Sequence, residues 1–316
     1  MGKLFTKSTC ALLLLVFLWG GSWPIYKMAV PYTPPLLFAG MRALIGGLIL
    51  AALIYKMSNR IKWRENWPKY CISAFFNTIL FFGLQTVGLI YLPGGLFSVL
   101  VYFQPVLLGL FAWIWLGEYM SPLKITGLII GFLGIVVVSV DGLTVHVSII
   151  GVVLGLLMAF SWALGVVYVK KVSNEVDAFW MVSLQFIIGG VILTGAGSIF
   201  ENWSAIEWNG KYLLGLGYGS TFGIPLAYII YYKLINAGEA SKVGTFTFLV
   251  PIIAVFIGTV FLDEPLTYRL VVGLLLVGVS IYLVNYRGKK VNASLFNRAQ
   301  AKKLKRKMSD DKNMVP

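Results

Sequence analysis

The stretch FQPVLLGLFAWIWLGEYMSP, residues 103–122, has an echo in LVPIIAVFIGTVFLDEPLTY, residues 249–268. In each copy a proline (Pro105, Pro251) stands 13 residues before a glutamate (Glu118, Glu264), a hydroxyl residue (Ser121, Thr267) follows by 3, and a glycine (Gly127, Gly273) by 6 more. The run between proline and glutamate carries no charge, so it is no solvated face, and it is long enough to cross most of a bilayer. The unit reads as a membrane helix, a tight turn and the next membrane helix, and it occurs twice.

Composition widens this reading to the whole chain. Of 316 residues, 59% are hydrophobic and 12% charged, with a mean hydropathy of +0.84. So much apolar surface does not fit one soluble core, and the chain reads as an integral membrane protein. The net charge of +14 raises nucleic acid as a partner, but the basic residues lie between apolar spans or in the tail, where membrane topology accounts for them. Membrane lipid is therefore the expected macromolecular surroundings and nucleic acid is not. Cys10 and Cys71 fall at the start of the first span and within the third, which suits buried thiols better than a disulfide. The opening apolar run lacks a small-residue cleavage site and reads as a retained first helix.

At about 20 apolar residues per helix, ten spans are expected, near 10–30, 35–56, 69–90, 94–116, 122–140, 148–170, 178–199, 212–235, 240–262 and 267–286. The breaks carry turn and cap chemistry: Pro31, Pro34 and Pro35; Pro93, Gly94 and Gly95; Ser121 before Pro122; and Thr267 as the counterpart cap. With the amino terminus inside, inside segments collect 22 basic residues and outside segments only Lys27, Lys211 and Arg269. Both ends are thus expected on the cytoplasmic side.

An internal repeat extends the opening motif. An offset of 143 matches Trp19 to Trp162, Lys27 to Lys170, Arg42 to Gln185 and Gly46–Gly47 to Gly189–Gly190. After a lengthening of three residues before the third span, an offset of 146 matches the rest. The expected organisation is a cytoplasmic segment 1–9, a first repeat 10–140, a second repeat 148–286 and a basic, disordered cytoplasmic tail 287–316 that touches anionic lipid. Five spans per half is an odd number, so the fold class expected is an all-α membrane protein with ten transmembrane helices in two inverted five-helix repeats. Inverted repeats mark transporters, because the halves can exchange conformations about a central site; duplication that merely yields a stable bundle is the plainer alternative.

These residues carry a family resemblance. The segment FLWGGSWP at 17–24, the stretch MRALIGGLIL at 41–50 and the two proline–glutamate–hydroxyl–glycine units resemble the EamA branch of the drug/metabolite transporter superfamily across about residues 8–286. The resemblance implies ten helices in two inverted repeats, secondary export of small metabolites or drugs, and a central cavity formed without the fifth and tenth helices. It also implies a multi-pass protein of a bacterial plasma membrane. The small multidrug-resistance relatives in that superfamily carry a glutamate in their first helix for proton exchange; spans one and six here contain no acid, so coupling by that route is not expected.

Residue by residue, two readings stand beside each other. Arg42 lies about 10 Å into the second span at 1.5 Å per residue. It either attracts an anionic group on a solute or snorkels and pairs with helix-end carbonyls. Glu118 and Glu264, at opposite membrane edges three residues before a helix cap, read as partners of the positive end of the following helix rather than as proton carriers. Trp19, Trp23, Gln85, Tyr102, Gln104, Trp162, Tyr228 and Thr245 are candidates, with Arg42, to bound a mostly apolar substrate pocket, or they pack and bond between helices. The glycines Gly215, Gly219 and Gly223, and Gly127 and Gly131, let backbones approach.

Other function classes find little support. The single histidine, His146, lies in the connection between the halves, and no paired intramembrane acids supply metal ligation or acid–base chemistry. No catalytic residue, metal or cofactor is expected, and no phosphate-cradling GxxxxGK[ST] segment occurs. A lipid or lipid-precursor flippase is the alternative to a small-molecule exporter, since its site would also be apolar. The expected partners are a small-molecule substrate and membrane lipid, and a monomer is favoured.

Overall fold

A computed structural model of the chain describes residues 2–91, 100–139, 148–261 and 268–286. Glu264, Thr267, Pro93, Gly94, Gly95, His146 and the basic tail lie outside the described residues. Residues 1–284 form one compact unit, and residues 285–316 a second of which only 285 and 286 are described.

Helices α1 (Gly2–Ala29) and α2 (Pro35–Ile54) open the fold. Next comes one continuous helical stretch: α3 (Trp63–Ala74), a π-helical segment (Phe75–Leu80) and α4 (Phe81–Tyr91). Then follow α5 (Gln104–Leu116), α6 (Pro122–Ser139), α7 (Ile149–Lys171) and α8 (Ala178–Phe200). A second such stretch joins α9 (Gly210–Tyr218), a π-helical segment (Gly219–Leu226) and α10 (Ala227–Ala237). Last are α11 (Ala240–Phe246), α12 (Leu249–Phe261) and α13 (Tyr268–Asn285). Among the described residues there is no strand. Five helical stretches are long and apolar enough to cross a bilayer: 8–26, 35–60, 149–171, 178–200 and 210–237. Other apolar helices, such as Gln104–Leu116, are shorter.

Local chemistry sets the helix ends. Ser121 accepts the Lys124 N–H at 3.2 Å ahead of Pro122, Asp177 accepts from Phe179 and Trp180 at the start of α8, and Asn209 accepts from Tyr212 at the start of α9. Each satisfies an N–H that the first helical turn leaves without a partner.

Interruptions recur at matching places. The π segment Phe75–Leu80 maps onto 221–226, within the second π segment, and Pro225 there removes a ladder N–H. The chain also turns at Tyr102–Phe103 and at Thr247–Phe248, shortly before the two prolines of the repeated motif.

Packing between the two halves is reciprocal. Helix α2 packs along α8, α2 against the second π segment and α8 against the first. Helix α1 packs on α9, α10 and α12, while α7 packs on α4 and α5. At the α2–α8 crossing the reciprocity reaches single residues: Gly47 lies against Ile187 and Gly190 against Leu44, pairs that the 143-residue offset exchanges. A Cβ on Gly47 would come within 2.9 Å of the Ser183 carbonyl oxygen, so the small residue sets how near these helices approach. Helix α6 packs on α13 through Gly127, which faces Val284 and Ser280, and Gly134, which faces Gly273.

Candidate functional site

A cavity of about 80 Å³ opens where α1, α2, the start of α4, the turn before α5, α7 and the second π segment meet. That space holds a few water molecules and is well below the several hundred Å³ of a pocket fitted to a drug-sized ligand. Seven of the nine residues singled out from sequence lie on its wall: Trp19, Trp23, Arg42, Gln85, Tyr102, Trp162 and Tyr228. Gln104 and Thr245 do not. Both are fully buried; the Thr245 hydroxyl donates to the Ser241 carbonyl at 2.7 Å within its own helix, and the Gln104 amide lies beside the Tyr231 hydroxyl. No wall residue among those described comes from α6 or α13.

Aromatic rings build the floor. Trp19 and Trp162, equivalent across the repeat, meet edge to face with centroids 5.7 Å apart. Tyr228 stands 5.4 Å from Trp19, and Phe81 stands 4.9 Å from Trp162. Two indole N–H groups fix this floor: Trp19 donates to the Gly223 carbonyl at 3.2 Å and Trp23 to the Tyr102 hydroxyl at 3.0 Å.

Arg42 is the charge on the wall. It is 5% exposed, and its guanidinium carbon lies 4.3 Å from the Tyr26 ring centroid, 4.8 Å from Phe82 and 5.2 Å from Phe38. Each such contact is worth roughly 0.5–2 kcal/mol. Among the described residues no carboxylate pairs with it, and its Nε makes no hydrogen bond. Gly219 and Gly223 leave room for Tyr26 beside it. The result is a cation held by rings at a cavity wall, with no carboxylate partner among the described residues.

Several wall residues were not singled out from sequence, Ser22, Tyr26 and Phe82 among them. Ser22, Trp23 and Tyr26 follow Trp19 by three, four and seven residues, so one helical face carries all four, and that periodicity was available to find them.

One end of the bundle is tied by charge. Lys170 donates to Glu118 at 2.7 Å and to the Gly238 carbonyl at 2.6 Å. Glu118 also accepts from the Ala240 N–H at 2.5 Å and from the Ser241 N–H and hydroxyl at 3.2 and 2.7 Å. Lys124 pairs with Glu239, which also accepts from Lys242 at 2.6 Å. Glu118 therefore caps α11 of the other half, and not the helix that follows it in sequence. Gly117, at φ 66°, turns the chain as α5 ends, and Ser121 already serves the first turn of α6. Burial drives the Glu118 carboxyl up, but the hydrogen bonds from Lys170 and Ser241, the Lys170 charge and the Ala240 N–H outweigh it and leave it below its ordinary 4.5. Glu239 is lowered for the same reasons by Lys124 and Lys242. At the other end Glu201 accepts from the Leu36 and Leu37 N–H groups at 2.9 and 2.8 Å, capping α2.

A helical membrane fold with interrupted helices around a small cavity defines a transporter class, and the comparisons agree. The profile of the EamA-like transporter family matches residues 6–140 and again 149–286. The chain belongs to the EamA-like transporter family; it is a membrane transporter and not an enzyme. It is 49% identical to the uncharacterized transporter YvbV of Bacillus subtilis, over 92% of this chain and 96% of that one. It is 25% identical to a "Probable amino-acid metabolite efflux pump" of Escherichia coli, over 86% and 92%. A solved crystal structure at 16% identity superposes with a TM-score of 0.78, covering 89% of this chain and 97% of the other, and so shares its fold.

Proposed function

We propose that this protein is a secondary exporter that moves a small organic solute bearing an anionic or zwitterionic group across the plasma membrane by alternating access. The observation that carries this reading is Arg42, a ring-held cation on the cavity wall without a carboxylate partner among the described residues. The rest of the wall is mostly aromatic and suits an apolar body on the same solute. The name of the Escherichia coli relative, an amino-acid metabolite efflux pump, is in keeping with a zwitterion.

The proposed architecture is ten spans in two inverted repeats, 10–140 and 148–286, with both termini cytoplasmic and a bacterial membrane as the setting. The doubled family match, the matching π segments and the reciprocal packing support it. With this topology the end bearing Glu118 and Lys170 is cytoplasmic, and the ion pairs there hold it shut. The protein acts as a monomer with one central site. Flux of radiolabelled amino acids and organic acids from proteoliposomes tests the reading: a saturable flux is expected for at least one carboxylate-bearing solute, weakened in Arg42→Gln. Scrambling of labelled lipid without solute flux overturns it.

A further inference from the structure

The cavity wall has an image under the internal repeat. Offsets of 143 and 146 carry Arg42 to Gln185, Gln85 to Tyr231, Gly223 to Asn77 and Ile224 to Thr78. All four image residues are 0% exposed. Three of them keep one polar atom without a hydrogen-bond partner, Gln185 Nε2, Asn77 Oδ1 and Thr78 Oγ1, and the Tyr231 hydroxyl lies beside the Gln104 amide.

They belong to one buried region. Asn77 donates to Ser73 at 3.2 Å, and Ser73 donates to Gln185 at 2.5 Å. Tyr232 donates to the same Gln185 oxygen at 3.1 Å, with the Tyr231 ring beside it. Asn77 and Thr78, in the first π segment, pack on Gly165 and Gly189 of the other half. Trp19 and Trp162, and likewise Phe82 and Tyr228, exchange under the offsets, and all four already line the cavity. Cavity and image therefore share a floor.

A buried polar atom without a partner costs roughly 1–3 kcal/mol, and close-packed interiors rarely keep several in one place. We propose that Asn77, Thr78, Gln185 and Tyr231 are substrate-contacting residues of the opposite state, lining the transport site when it opens toward the end held by Glu118 and Lys170. There water and the solute's polar groups take up the unpaired atoms of Gln185, Asn77 and Thr78 and reach the Tyr231 hydroxyl. This inference rests on the alternating-access reading and adds to it a chemical asymmetry. The image wall offers carboxamides and hydroxyls where the present wall offers the Arg42 cation. A solute entering from the Glu118 end meets neutral hydrogen-bonding groups before it meets positive charge.

The test places single cysteines in full-length protein carrying Cys10→Ser and Cys71→Ser. Membrane vesicles of both orientations receive a membrane-impermeant maleimide. Gln85→Cys is expected to react from the face opposite the Glu118–Lys170 pair, and Asn77→Cys and Thr78→Cys only from the face that bears it. Adding Glu118→Gln should raise the labelling rate at residue 78 by about tenfold, the population change that 1.4 kcal/mol produces. Thr78→Cys changes side-chain size little, and so serves if Asn77→Cys does not fold. Should Gln85→Cys react as stated while residues 77 and 78 stay unreactive, or react from the same face as residue 85, the inference fails alone. Should Gln85→Cys react from neither face, the central-cavity reading beneath it fails.

Discussion

Arg42 and Gln185 occupy equivalent places in the two halves, yet their surroundings differ. Arg42 stands at a cavity, ringed by Tyr26, Phe38 and Phe82 and paired with no acid among the described residues. Gln185 is packed away and accepts from Ser73 and Tyr232. Toward one side there is room and an unspent charge; toward the other a polar cluster is closed over, and the connections at that end are tied through Glu118, Lys170, Lys124 and Glu239. A duplicated chain can thus keep a small cavity beside one copy of a residue and close packing around the other, which apolar packing of a symmetric bundle does not by itself produce.

Breaking the tie should have the largest effect. Glu118→Ala leaves the first turn of α11 without its acceptor and Lys170 with the Gly238 carbonyl but no carboxylate, and a loss of about 2–3 kcal/mol is expected, the lower side of a buried pair because Lys170 is partly exposed. Chemical denaturation of detergent-solubilised protein would measure it; an unchanged midpoint would show that the pair holds nothing. The same contact has a pH signature. The folded-state pKa of Glu118 is depressed, so its contribution is complete above about 4.5 and is lost as pH falls through the lowered value. Stability in wild type, relative to Glu118→Gln, should be flat from pH 8 to 6 and converge in acid.

The shared scaffold should respond more mildly. Gly47→Val pushes a side chain against Ile187 and the Ser183 carbonyl at the α2–α8 crossing, an overpacking cost of roughly 1–3 kcal/mol, read as a lower melting temperature. The smallest effect belongs to Leu133→Ala on α6, half exposed and away from the cavity: solute affinity should stay within about twofold of wild type, that is, within ~0.4 kcal/mol. A larger change in equilibrium binding would mean that α6 is coupled to the site.

Much of this was legible in the sequence, and the legible parts share a cause. The proline–glutamate unit and the 143-residue offset are periodic signals, and they marked the repeat; the helix breaks before Pro105 and Pro251 were not legible, since 94–116 and 240–262 each read as one apolar span. Depth within a span brought seven wall residues to notice, because an aromatic or polar group far from the interface is conspicuous against aliphatic neighbours. Side-chain direction was not legible. Gln104 and Thr245 have the same depth and composition as the wall residues but stand off the cavity. Glu118 was legible as a partner of the positive end of a helix, but the following helix was expected, and the one it caps depends on a long-range approach between halves that no local pattern encodes.

The central claim is that the Arg42 cation recognises an anionic group on the solute. Its most direct measurement compares binding of a transported carboxylate-bearing solute with binding of its neutral amide analogue, by thermal shift or calorimetry, in wild type and in Arg42→Gln. A preference for the carboxylate of about tenfold or more, equivalent to ~1.4 kcal/mol, is predicted in wild type, falling to near unity in the variant. An equal preference in both proteins would contradict the account.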